Sequence, residues 1–149
     1  MLSTRPIRIV IVDDHEPWRR FTSRSIQKTT DLQLVGQASD GLEAVAKIVE
    51  LRPDVVLLDI GLPKLNGIEV SRRINQTCPS CKVLFVSQEF SPEIVREALA
   101  TGASGYVLKI DAGSELLIAV HAVLRGQQFV SARFSNQLRE TEITRQLSE

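Results

Sequence analysis

Four apolar residues in a row, Val55-Val56-Leu57-Leu58, stand between Pro53-Asp54 and Asp59-Ile60-Gly61-Leu62-Pro63. A run without alternation suits a strand buried on both faces, as in a parallel sheet covered by helices. Ile7–Val12 is β-branched and closes on Asp13-Asp14, so it predicts a first strand of the same kind. Residues 32–38 are less apolar and predict a strand near a sheet edge, while 82–87 and 105–109 predict two more. Between these runs the apolar spacing lengthens to that of a helix. Residues 17–27, opened by Pro17, carry Trp18, Phe21 and Ile26. Asp40 with Glu43 three places on resembles a capping box, followed by Leu42, Val45, Ile48 and Val49 and closed by Pro53. Residues 64–76 predict a helix with Gly67, Val70 and Ile74 inward. Ser91-Pro92-Glu93 reads as an N-cap, a first-turn proline and a first-turn acid, for a helix running through Val95, Ala98 and Leu99 to Gly102. Leu116, Leu117, Val120, Val123 and Leu124 mark the last helix.

Five strand-helix units in strict alternation predict an α/β fold, a doubly wound (βα)5 three-layer sandwich. The expected sheet order is the flavodoxin-like 2-1-3-4-5. Residues 1–6 read as an N-terminal extension, 7–126 as the folded domain and 127–149 as a linker or tail. In that tail Phe134, Leu138, Ile143 and Leu147 form an imperfect stripe, a weak helix signal in a polar segment.

At 149 residues the chain suits one domain plus a tail. Eighteen basic and eighteen acidic side chains cancel, so no overall charge favours nucleic acid or an anionic membrane. Direct DNA binding is not expected, because the tail is too short for a groove-reading helix pair. No apolar run approaches the roughly 20 residues of a membrane span, and no signal-like segment follows 1–5. The expected location is therefore cytoplasmic. Cys78 and Cys81 form a lone C-x-x-C, a spacing shared by redox motifs and half zinc sites. The pair follows a predicted helix and precedes a predicted strand, which is the wrong place for a redox motif. It is read as structural filler, and His15 and His121 give no better case for zinc.

The chemistry lies at the carboxyl ends of the strands. Asp13, Asp14 and Asp59 end strands one and three, neighbours at the switch point where such sheets bind ligands. Two carboxylates about 4 Å apart repel by roughly 4 kcal/mol at an effective dielectric of 20, so the cluster calls for a counter-charge. A hard divalent cation on oxygen ligands supplies one, and Mg²⁺ suits a site that handles phosphoryl groups. Ser87 and Lys109 end strands four and five at the same edge, adding a hydroxyl and an ammonium fit for an anion. The attacking oxygen is then a carboxylate of Asp59, forming an aspartyl phosphate. Taken singly, Asp59 would read as a residue that starts a turn before Gly61 and Pro63.

Val12-Asp13-Asp14-His15, Leu58-Asp59-Ile60-Gly61-Leu62-Pro63, Val86-Ser87 and Tyr106-Val107-Leu108-Lys109 together resemble the receiver domain of two-component response regulators. The resemblance runs from Ile7 to about Arg125. It implies that a sensor histidine kinase or a phosphotransfer protein donates phosphoryl to Asp59. It implies Mg²⁺ on Asp14, Asp59 and the Gly61 backbone carbonyl, with Asp13 assisting. It also implies that Lys109 and Ser87 contact the phosphoryl oxygens, and that Tyr106 is an aromatic switch coupled to Ser87. Signalling, and any homodimer, would then use the face made by helix four, strand five and helix five. Gly102-Ala103-Ser104-Gly105-Tyr106 and 126–131 are similar to the subfamily that carries a LuxR-type helix-turn-helix, which this sequence does not include. Gln88 stands after Ser87 where the family usually has a small residue. Ile110 follows Lys109 where a cis proline is common, so a trans bond is expected here.

Other readings fit less well. A flavodoxin needs a phosphate-cradling loop after strand one, and Asp13-Asp14-His15-Glu16 would repel phosphate. A haloacid-dehalogenase-like phosphatase needs a second acid where Gly61 stands, so turnover of external substrates is not expected. The chain is expected to be a phosphoacceptor whose only chemistry is its own phosphorylation and dephosphorylation. The alternative is a receiver-like docking module that works without phosphorylation.

Overall fold

The computed structural model describes residues 5–134. Its strands are β1 (Ile7–Val12), β2 (Leu32–Ala38), β3 (Val55–Leu58), β4 (Lys82–Ser87), β5 (Gly105–Leu108) and β6 (Phe129–Val130). Its helices are α1 (Glu16–Gln27), α2 (Gly41–Leu51), α3 (Gly67–Thr77), α4 (Pro92–Leu99) and α5 (Ala112–Leu124). Every paired strand is parallel, in the order β2-β1-β3-β4-β5-β6. The expected 2-1-3-4-5 sheet is present with one strand added beyond it.

Side chains alternate across the sheet and divide the core in two. Val10, Val12, Val56, Leu58, Phe85 and Tyr106 face α2, α3 and α4, whereas Ile9, Ile11, Val55, Leu57, Leu84 and Val107 face α1 and α5. Both faces are dry, which is why β3 reads as an unbroken apolar run. β2 is largely half-exposed along its length, as its weaker hydrophobicity predicts for an edge.

Three local expectations are corrected. Helix α3 begins at Gly67 rather than at 64, because Lys64 has φ +68°, outside the helical region. The cap is Asn66, whose Oδ1 accepts the Glu69 N–H at 3.0 Å. Gly67 is required here by proximity, since a Cβ on it would lie 2.0 Å from the Asp59 carbonyl oxygen. At α4, Ser91 occupies the cap position without capping, because its hydroxyl donates to Glu93 Oε2 at 2.9 Å. Asp40 does cap α2, its Oδ1 accepting the Glu43 N–H at 2.8 Å. Cys78 and Cys81 are buried as filler would be, but they are joined by a disulfide. The intervening turn brings their Cα atoms to 5.6 Å, within bridging reach, and Cys81 N–H donates to Cys78 O at 3.0 Å.

The largest departure is past residue 126. Phe129–Val130 pairs with Gly105 and Tyr106 as β6, and Phe134 is fully buried in the α2–α4 side of the core. Residues 129–134 therefore pack against β5 and the core. A strand of two residues has no period to detect. Leu138, Ile143 and Leu147, the rest of the tail stripe, lie outside the described residues, as do residues 1–4 of the N-terminal extension. The Lys109–Ile110 bond is trans, as there are no cis peptide bonds among the described residues.

Candidate functional site

Strand register builds the site. Val12 pairs with Leu58, so the residues that follow each strand, Asp13 and Asp59, emerge side by side. Their backbones are fixed too: Asp59 N–H donates to Val12 O at 3.0 Å and Asp13 N–H to Ala38 O at 3.0 Å. Ser87 pairs with Leu108, which puts Lys109 one step beyond Ser87 at the same edge. There the chain enters a 3₁₀ turn at Lys109–Asp111, so Lys109 ends no strand but begins the turn that follows it.

One oxygen from each of Asp13, Asp14 and Asp59 lies within 4.8 Å of the others. Asp13 is almost wholly buried at 2 % exposure and Asp59 at 8 %, whereas Asp14 is exposed. Asp13 Oδ1 accepts the His15 N–H at 2.9 Å, its carbonyl accepts Arg19 Nη1 at 2.7 Å, and Asp59 Oδ1 accepts the Ile60 N–H at 2.8 Å. Lys109 Nζ reaches Asp13 Oδ2 at 2.7 Å and Asp59 Oδ2 at 3.4 Å. Burial holds the Asp13 carboxyl above the usual carboxylate range, against the opposing pull of the Lys109 hydrogen bond.

Asp14, Asp59, Gly61, Ser87 and Lys109 line a common cleft of about 380 Å³, together with His15, Gln88 and Glu89. The donor set fits a hard divalent cation: it offers carboxylate oxygens and the Gly61 backbone, with no thiolate present. Two charges 4.8 Å apart cost about 3 to 4 kcal/mol at an effective dielectric of 20, which such an ion would relieve.

Tyr106 is not in this cleft. Its ring is fully buried between Phe85 at 5.9 Å and Phe134 at 6.2 Å, centroid to centroid. Its hydroxyl donates to Glu89 O at 2.9 Å, and the Ser87 hydroxyl accepts the Glu89 N–H at 3.2 Å. Burial pushes the phenol well above its ordinary value, with Ser87 partly opposing, so it stays protonated and able to donate. The Ser87 and Tyr106 side chains thus both bond to the backbone of Glu89, a residue that sequence reasoning missed. A backbone link carries no side-chain signature. Trp18 was also missed as a site residue: it was read only as an apolar position of α1, yet its ring faces Lys109 Nζ at 5.1 Å. Gln88 does line the cleft, as its position after Ser87 suggested.

A parallel α/β sheet thus carries an acidic cluster and a lysine at its carboxyl edge. A family profile described as the response regulator receiver domain matches residues 9–121, and the chain belongs to that family. It is 36 % identical over 132 residues to the transcriptional regulatory protein DegU of Brevibacillus brevis, covering 89 % of this chain and 56 % of the relative. It is equally 36 % identical over 132 residues to the response regulator GacA of Pseudomonas viridiflava, covering 89 % of this chain and 62 % of that one. This chain therefore spans little more than half the length of the curated relatives it matches. Among solved structures, a LuxR-family two-component response regulator from Aurantimonas sp. SI85-9A1 superposes with a TM-score of 0.89 at 32 % identity. That match covers 93 % of this chain and 99 % of the other. Among the described residues no helix is long and apolar enough to cross a membrane.

Proposed function

We propose that this receiver domain takes a phosphoryl group onto Asp59 from the phosphohistidine of a sensor histidine kinase or phosphotransfer protein. The observation that carries the reading is the meeting of Asp13, Asp14, Asp59 and Lys109 at one sheet edge. An oxygen of Asp59 attacks phosphorus, the P–N bond breaks, and its electron pair returns to the imidazole, which takes up a proton. Asp14, Asp59 and the Gly61 carbonyl, with Asp13 assisting, would hold Mg²⁺, which would supply charge screening. Lys109 donates to the phosphoryl oxygens, and the Ser87 hydroxyl turns toward them. The same donors stabilise the charge that develops when water later removes the group.

Ser87 that turns to a phosphoryl oxygen gives up the Glu89 N–H, and Glu89 is also the acceptor for Tyr106. Occupancy of Asp59 is thereby passed to Tyr106 and to the α4-β5-α5 face. The chain turns over no external substrate, and its balanced charge supports no direct DNA binding. Incubation with acetyl phosphate tests the reading: intact mass should show one phosphoryl adduct, only with Mg²⁺, and none on Asp59→Asn. An adduct on Asp59→Asn at the wild-type level rejects it.

A further inference from the structure

Lys109 has a neighbour that phosphotransfer, as derived above, leaves unused. Its Nζ stands 5.1 Å from the centroid of the Trp18 ring, while carboxylate oxygens of Asp13 and Asp59 lie at 2.7 Å and 3.4 Å. Between these three groups the lysine side chain is only 11 % exposed. Phe21 packs on the indole at 5.2 Å, and the Trp18 backbone is fixed in α1, its amide donating to His15 O at 3.1 Å and its carbonyl accepting the Thr22 hydroxyl at 3.0 Å.

A lysine stem is flexible, and the nearer of its two carboxylates is Asp13, not the acceptor Asp59. Left to charge alone, the ammonium is drawn away from the reacting group. An aromatic face attracts a cation through its quadrupole yet competes weakly for hydrogen bonds, so it leaves the N–H groups free for oxygen. The attraction is strongest where water is excluded, as it largely is here.

We propose that Trp18 is a positioning residue for Lys109, its indole face holding the ammonium beside Asp59. The inference rests on the reading of Asp59 as phosphoacceptor, but the contact itself is measurable without phosphorylation. Trp18 is the sole tryptophan, so its emission reports on its surroundings without a label.

In the wild-type protein the Lys109 ε-methylene protons should be shifted upfield by the ring current, and Trp18→Leu should return them to ordinary values. Lys109→Met should change the tryptophan emission of a protein whose circular dichroism is unaltered. With acetyl phosphate and saturating Mg²⁺, Trp18→Leu should be phosphorylated about tenfold more slowly, in keeping with loss of a desolvated cation–π contact. The Mg²⁺ concentration giving half-maximal rate should not move, and Trp18→Phe, which keeps an aromatic face, should recover most of the rate. Ordinary ε-methylene shifts in the wild type would overturn the proposal, and so would equal slowing by Leu and Phe. If Trp18→Leu fails to fold, the wild-type shifts and the Phe variant decide. A wild type that shows the ring-current shift yet takes no phosphoryl group rejects the Asp59 reading and this role with it. Equal labelling of wild type and Trp18→Leu rejects the positioning role alone.

Discussion

His121 faces two acceptors at once. Its Nδ1 is 2.8 Å from Leu117 O and its Nε2 is 2.6 Å from Asp31 Oδ2, so only the imidazolium form donates to both. The Asp31 hydrogen bond raises the imidazole above its ordinary 6.5, and the same bond lowers the Asp31 carboxyl below its ordinary 3.8. The raised histidine contributes stability that is complete below about pH 6.5 and fades as pH climbs through its folded value. The depressed aspartate contributes above about 3.8 and fades as pH falls through its own. The pair therefore works fully only between those limits. Both partners are substantially exposed, so its worth is at most about 1 kcal/mol and salt-sensitive. Melting temperature should fall slightly between pH 6 and 8 in wild type and stay flatter in His121→Ala; parallel curves would show that the bond is not formed in solution. Nothing in the sequence marks this contact, because its two residues are 90 positions apart and meet only after α5 packs beside the start of β2.

At the scale of elements, what the sequence reveals follows from period and length. Strands of four to seven residues and helices of eight to thirteen carry enough repeats to be read, and the Asp13, Asp14, Asp59, Ser87 and Lys109 cluster follows once their order is known. The start of α3 was misplaced because Lys64 and Leu65 look helical by composition, whereas the positive φ of Lys64 comes from the tight turn that brings Gly67 against Asp59. β6 and the buried Phe134 were illegible for another reason: their partners, Tyr106, Glu115 and Phe90, come from distant elements. Ser131 Oγ donates to Glu115 Oε1 at 2.6 Å and accepts the Leu108 N–H at 2.9 Å, while Phe134 meets the Phe90 ring edge-on at 5.7 Å. These contacts make residues 129–134 part of the fold. Phe134→Ala should cost about 3 kcal/mol, the lower end for a fully buried phenylalanine because this margin can partly collapse. Urea unfolding measures it, and a loss under about 1 kcal/mol would mean that the segment contributes little.

Across the whole molecule, Tyr106 belongs to an aromatic series, Phe85, Tyr106, Phe134 and Phe90, on the α2–α4 side of the sheet. Glu89 and Phe90 are both exposed, so a change at Glu89 is already at the surface. Adding beryllium fluoride and Mg²⁺ should therefore move backbone NMR shifts from Ser91 to Arg125, and any self-association on the α4-β5-α5 face should strengthen in sedimentation. Tyr106→Ala should blunt both effects. Changes confined to residues around Asp59 would show that this route is not used. The closing strand has a further consequence, for solubility. Phe129 N–H donates to Ser104 O, Ser131 N–H to Tyr106 O, and Leu108 N–H to Ser131 Oγ, so the outer margin of β5 has its amides and carbonyls occupied. Without residues 127–134, an apolar strand with free backbone groups would become the last in the sheet, an open template on which a second chain could add and aggregation could begin. The short closing strand thus acts as a stopper, and a shortened chain that keeps Asp13, Asp14, Asp59, Ser87 and Lys109 but ends near Gly126 would carry a sticky margin in its place.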